Sequence, residues 1–178
     1  MKVLAETPYF DLIKYNSKHG LHMKTTSVAI LPYTVNESGI VETIGILKEW
    51  NPLRPDGYAH TLVTGTIDDS DEDAYTTAVR ELSEETGINM VADSPDKWIF
   101  LGNFHDAKDT DRIMPTFAVN ATGVNIGQPA PQNDSEAAST FEFHDVNEVI
   151  ATSKETLVLA AFLRLFNLMY NKSFNNGK

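Results

Sequence analysis

Residues 65–88 read GTIDDSDEDAYTTAVRELSEETGI, and the second half of that stretch decides what the rest of the chain must build around. Ser70 followed three residues later by Asp73 is a helix-start pattern. Gly87 supplies the residue that can turn left-handed and end the helix. At about 100° per residue, Glu81, Glu84 and Glu85 fall within an arc of roughly 100° on one side. Ala78, Leu82, Tyr75 and Val79 occupy the next arc round, which can pack on a sheet. Three carboxylates one turn apart repel each other unless something cationic sits among them. A solvated acidic face is the common fate of a Glu-rich helix. A hard divalent cation such as Mg²⁺, which prefers a few carboxylates plus substrate phosphates, is the functional alternative.

Working outward, β-prone runs surround this helix. Residues 27–33 (SVAILPY) and 40–50 (IVETIGILKEW) flank a turn, and 60–63 leads into Gly65 as a third strand. Residues 98–104 and 112–119 read as two more strands, joined by the charged loop HDAKDTD. A polar, proline-bearing loop, 127–135, precedes a short strand at 140–144. The last element, 155–170, is a strongly apolar helix whose start is marked by Thr152 and Glu155 and whose end is marked by Asn171. Arg164 and Asn167 interrupt it, and it is short for a bilayer. The order is strand-rich with one central and one C-terminal helix, an α+β chain with helices around a mixed sheet. Residues 1–22 form an N-terminal arm or strand, 23–171 the domain, and 172–178 a flexible tail.

At 178 residues the chain is most simply one domain. It has no cysteine, which removes thiolate metal sites and cysteine nucleophiles and fits a reducing cytoplasm. The formal net charge of −11 repels nucleic-acid backbones and anionic membranes, so neither is an expected partner. Phosphates can still bind such a protein where metal ions supply the positive charge.

The spacing of Glu72, Arg80-Glu81-Leu82, Glu84-Glu85 and Gly87-Ile88 resembles the signature of the Nudix hydrolase family, G-x5-E-x7-R-E-U-x-E-E-x-G-U with U a bulky aliphatic residue. Eight of its nine specified positions match; Thr66 stands where the first glycine belongs. Were positive φ needed there, threonine would be strained. Beyond the signature, SVAILPY, IGILKEWNPLRPDGYAHTLVTG and SKETLVLAAFLRL are similar in outline to parts of the ADP-ribose pyrophosphatase branch. A proline that this branch often carries would fall at Phe104 and is absent.

The resemblance implies a Nudix-type α/β/α sandwich with a mixed β-sheet. It also implies hydrolysis of a nucleoside diphosphate linked to another moiety, with Mg²⁺ or Mn²⁺. On that reading Glu81 and Glu85, with the Gly65 carbonyl, ligate metal, and Glu84 completes the shell or accepts a proton. Arg80 holds the glutamates in place through charge-assisted hydrogen bonds, and Glu72 orients the loop or Arg80. A further carboxylate from a distal loop serves as base or ligand, here Glu136 in preference to Asp134. Trp50, Tyr58, Phe104 or Phe117 could stack on the base, with Trp50 and Phe104 favoured. Arg54 and Lys48 could meet a phosphate or ribose, and His105 with Asp106 could offer a polar contact.

The substrate expected is ADP-ribose or a similar nucleoside diphosphate derivative. The alternatives are a (d)NTP or dinucleoside polyphosphate hydrolase, and a nucleotide sensor without turnover. The apolar final helix suggests either a homodimer or completion of the monomer core.

Overall fold

The computed structural model describes residues 1–68, 70–90, 94–105 and 107–175, with the backbone alone for Ser135 and 171–175. The N-terminal stretch is more than an arm. It is an antiparallel meander of β1 (Lys2–Glu6), β2 (Phe10–Tyr15) and β3 (Lys18–Met23). This meander is tied to the loop before β9 (Ile113–Asn120) by backbone bonds between Leu21 and residues 109 and 111. The Asp111 carboxylate adds bonds from the Met23 N–H at 2.9 Å and to His22 Nδ1 at 2.5 Å.

The main sheet runs from β10 (Thr140–Asp145) through β5 (Val41–Trp50), β4 (Ser27–Val35) and β9 to β8 (Trp98–His105), with β4 at its centre and parallel to β9. Alternation along β4 sends Val28 and Ile30 to one face and Ala29, Leu31 and Tyr33 to the other. Each set joins a separate apolar core. Helix α1 (Ala74–Thr86) covers the first face. The second is covered by α3 (Val146–Thr152) and α4 (Thr156–Asn175), through Val149, Val158, Ala161 and Leu165. The α/β/α sandwich expected from the sequence is therefore present, and a strand buried on both faces explains the unbroken run SVAILPY.

One irregularity shapes the molecule. β5 (Val41–Trp50) pairs with β4 only from Val41 to Ile44. Beyond that the two strands diverge. The expected single strand at 60–63 is two, β6 (Tyr58–Thr61) and β7 (Val63–Thr66), separated by the buried Leu62. β6 pairs with β5 from Leu47 to Trp50, and β7 pairs with β4 from Ser27 to Ile30. Pro32, which has no amide hydrogen to donate, lies where β4 leaves β7 and takes up β5.

Helix starts differ from the sequence expectation. Asp73, not Ser70, caps α1, its carboxylate accepting from the Thr76 N–H at 2.8 Å. Thr152 closes α3 by donating to the Glu148 carbonyl instead of opening α4, and the Glu155 carboxylate is taken by Arg54. Gly87 ends α1 with φ 72° as expected. α4 continues to Asn175, past the expected end at 170. Among the described residues no helix is long and apolar enough to cross a membrane.

Candidate active site

The fork between β4 and β5 opens into a cleft of about 620 Å³. α1 packs against β7 and β4, burying Ala78 and Leu82 and leaving Glu81 and Glu85 of its acidic arc along the cleft, with Glu84 outside the lining. Burying an aliphatic side chain contributes about 1.5–3 kcal/mol, against a few tenths for each like-charged pair. The helix thus forms in spite of its carboxylates.

Arg80 organises the acids. Its Nη1 donates to Glu81 Oε1 at 2.9 Å and Glu84 Oε2 at 3.0 Å. Nη2 donates to the Thr66 carbonyl at 3.1 Å and to Asp71 Oδ2 at 2.8 Å, and Nε reaches Asp71 Oδ1 at 3.3 Å. Asp71, which also accepts from the Thr77 hydroxyl, does the work expected of Glu72. Glu72 is exposed and makes no such contact. Nothing in the run of acids at 68–73 singles out Asp71 beforehand.

Gly65 and Thr66 both sit in β7. Gly65 is needed for space, because a Cβ there would occupy the position of the Glu81 carboxylate. Thr66 carries no strain, since Asn16 is the one non-glycine residue with positive φ among those described. The missing glycine of the signature therefore costs the loop nothing.

Among the described residues six carboxylates line the cleft: Glu81 and Glu85 of α1, Glu49 of β5, Glu136 of α2 (Asp134–Ala137), and Asp68 and Glu155 at its margins. Glu136 is fixed by the Gln132 N–H at 2.7 Å and by Asn133 Nδ2 at 2.5 Å. Asp134 does not line the cleft. Burial pushes the Glu85 carboxyl up to about 9, assisted by the charges of Glu49, Glu81 and Glu136, and only partly countered by the Thr64 N–H. Burial likewise lifts Glu81 to about 7 against the pull of Arg80, and it raises Glu49 with help from Glu136. Glu49 was missed by sequence reasoning. Its signal is periodic: it continues the inward row Gly45–Leu47 of β5.

These acids fit a hard divalent cation. Glu85 Oε2 is buried with no hydrogen-bond partner, and the donors offered are all oxygens. Among the described residues no three acids or imidazoles stand close enough to hold an ion as they are, and Glu81 and Glu84 each give an oxygen to Arg80.

The remaining wall is cationic and polar. Arg54 and Arg112 line it, and Tyr9 reaches in from the turn between β1 and β2. Tyr9 is the aromatic lining this cleft; sequence reasoning passed over it because the N-terminal meander was not foreseen. The favoured stacking residues lie elsewhere. Trp50 is exposed at the end of β5 and outside the cleft. Phe104 packs on the core beneath α4, because the bulge between Phe100 and Gly102 shifts the alternation of β8 and turns it there. Phe117 is buried edge-on among Trp98 and Tyr75. Tyr58 bears the Lys48 ammonium 4.3 Å from its ring centroid and lines a different cleft. His105 is exposed and outside the cleft, and Asp106 lies outside the described residues.

A family model of the NUDIX domain matches residues 25–166. A solved structure described as an ADP compounds hydrolase aligns over 96% of this chain and 92% of its own, with a TM-score of 0.63 and 14% identity. A MutT structure, from work on the psychrofile fish pathogen Aliivibrio salmonicida and the mesophile Vibrio cholerae, aligns over 78% of this chain and 98% of its own. Its TM-score is 0.51, at 17% identity. At these identities the likeness is one of fold. No curated protein sequence matches the chain.

Proposed function

The chain belongs to the Nudix family and is a Nudix hydrolase, and within that family we propose that it cleaves the diphosphate of ADP-ribose or a similar nucleoside diphosphate derivative, with Mg²⁺ or Mn²⁺. The observation that carries this reading is the composition of the cleft, where the carboxylates of Glu81 and Glu85 on α1 and the guanidinium groups of Arg54 and Arg112 line one space. Its volume of about 620 Å³ lies in the range of about 300–1,000 Å³ that encloses ligands of this size.

Glu81, Glu85 and the Gly65 carbonyl would hold the cation, joined by Glu136 and assisted by Glu84. When bound, such an ion neutralises diphosphate charge and lowers the pKa of water. The protein's own groups do the rest. Arg80 keeps Glu81 and Glu84 aligned without meeting substrate, its reach being consumed by Asp71 and Thr66. Glu136, held by Gln132 and Asn133, accepts a proton at its carboxylate, with Glu84 as the second acceptor. Arg54 and Arg112 face the phosphate and ribose.

The cysteine-free composition supports a cytoplasmic location. Leu163, Phe166 and Tyr170, exposed along α4, support a homodimer, which sedimentation in solution tests.

Assay of the purified protein against a nucleotide panel with each metal tests the main reading. AMP plus ribose 5-phosphate is the expected product pair. Nucleoside monophosphate plus pyrophosphate from triphosphates alone would replace this substrate class, and no turnover of any nucleotide would sink the assignment.

A further inference from the structure

The loop that delivers Glu136 is joined to the end of α1. Gly127 donates its N–H to the Gly87 carbonyl at 2.8 Å, and Ala130 donates to the Glu84 carbonyl at 2.8 Å. Carbonyls at a helix end have no partner within the helix, and the loop supplies them. Ile88 and Ile126 add an antiparallel bridge. The approach is close. A Cβ on Gly87 would stand 2.4 Å from the Gly127 carbonyl oxygen, and one on Gly127 would stand 3.3 Å from the Gly87 carbonyl oxygen. Gly87 therefore does more than end α1: it leaves room for the loop to dock.

From this dock to Glu136 the chain reads QPAPQN over 128–133. Each proline fixes its own φ and pushes the residue before it into extended backbone. Torsional freedom is thus cut at every residue from 128 to 131. Neither proline has an amide hydrogen, so Ala130 carries the one backbone donor of 129–131, and α1 receives it. At the far end the Gln132 N–H and Asn133 Nδ2 hold the two oxygens of Glu136, and Asn133 Oδ1 accepts from the Glu136 N–H at 3.0 Å. Residues 127–134 are all exposed, so core packing does not fix this path.

We infer that residues 127–133 are a strut, in which the Gly87–Gly127 dock, Pro129 and Pro131 are positioning residues that set Glu136 in register with the carboxylates of α1. Stiffness takes the place of burial. The dock locates one end of the strut, and restricted torsions carry that location to the other. The strut itself meets no substrate. The inference rests on the reading above in which Glu136 accepts a proton.

The test compares Gly87→Asn, Pro129→Ser with Pro131→Ser, and Glu136→Gln in the full chain. Asparagine tolerates the left-handed conformation that ends α1, so Gly87→Asn disturbs the dock and spares the helix. The serine pair softens the strut and leaves the dock in place. With ADP-ribose and Mg²⁺, both strut variants are expected to lower kcat at least about tenfold with KM unchanged, since a misplacement of about 1 Å can cost about a hundredfold. In the Glu136→Gln background neither change lowers kcat further, whereas general damage to the fold would. Hydrogen exchange in metal-free protein gives a readout apart from turnover. Gly87→Asn loses protection at the Gly127, Ala130 and Gln132 amides. The serine pair loses it at Gln132 and keeps it at Gly127, and β4 stays protected in both.

Wild-type kcat in both strut variants, or a loss that adds to that of Glu136→Gln, overturns the inference and leaves the role of Glu136 standing. A wild-type rate in Glu136→Gln removes Glu136 from the reaction and the strut with it. Should the wild type not cleave ADP-ribose, the substrate reading falls and the exchange pattern alone judges the strut. The serine pair, confined to exposed residues, decides the matter if Gly87→Asn fails to fold.

Discussion

Arg80 and Asp71 face each other as a fork, with Nη2 and Nε on the guanidinium side and both carboxylate oxygens on the other, at 2.8 and 3.3 Å. The pairing pins the loop before α1 to the middle of that helix. It also leaves Nη1 to hold Glu81 and Glu84. Asp71→Asn is expected to lower kcat about ten- to a hundredfold, the usual effect of removing a residue that orients metal-binding groups. KM for nucleotide should change little. A kcat within error of the wild type would leave Asp71 a purely structural residue.

The same pair sets an acid limit on stability. The Arg80 guanidinium beside Asp71 holds that carboxyl down at about 2, from 3.8. A depressed folded value means stability that is complete above about pH 4 and is lost as pH falls toward 2. In the Asp71→Asn variant, Tm measured from pH 5 to pH 2 should fall less steeply than in the wild type.

Glu85 has the opposite sign. Its buried carboxyl is raised to about 9 from 4.5, so without metal its contribution is most favourable below the unfolded value and is lost as pH rises through 9. Metal-free protein should lose Tm between pH 5 and 9, and Mg²⁺ should restore it. Glu85→Gln is expected to flatten that metal-free slope and to lower turnover ~10²-fold with the fold intact. Near-normal turnover in this variant would contradict the metal assignment.

Gly65→Ala tests close approach. The added methyl needs the space of the Glu81 carboxylate, and a misplacement of this kind can cost about a hundredfold in rate. The expected signature is weaker Mg²⁺ binding and slower turnover, with circular dichroism unchanged. Normal Mg²⁺ affinity in this variant would mean that Glu81 can leave Gly65 without consequence.

Trp50 and Phe104 separate packing from recognition. Phe104→Ala should cost about 3 kcal/mol of stability, the low end for a phenylalanine because the ring is half-buried, and leave KM unchanged, because that ring packs on the α4 core. Trp50→Ala should alter neither. A raised KM in either variant would return that residue to the substrate site.

What the sequence made legible followed the physics of local pattern. The acidic arc of α1 and its stop at Gly87 depend on helix geometry alone, and both stand where spacing put them. So does the strand read at 27–33, which is β4. What escaped depends on pairing across distance. Glu49 becomes a cleft acid only because β5 swings away from β4. Tyr9 reaches the site only because β3 docks on the loop at 109–111. Asp71 is one acid among several until the fold brings Arg80 over it. Aromatic residues misled for a related reason: ring chemistry is the same in a core as in a binding cleft, and strand alternation decides which.

Leu62 deserves a last consequence. One residue separates a strand that answers to β5 from a strand that answers to β4, so the loop at 51–57 and the carboxylates of α1 rest on different strand pairs. Rebuilding that loop should leave the acids of α1 where they stand. For anyone wishing to retarget the enzyme, residues 51–57 are the exchangeable part and α1 is the engine to leave untouched.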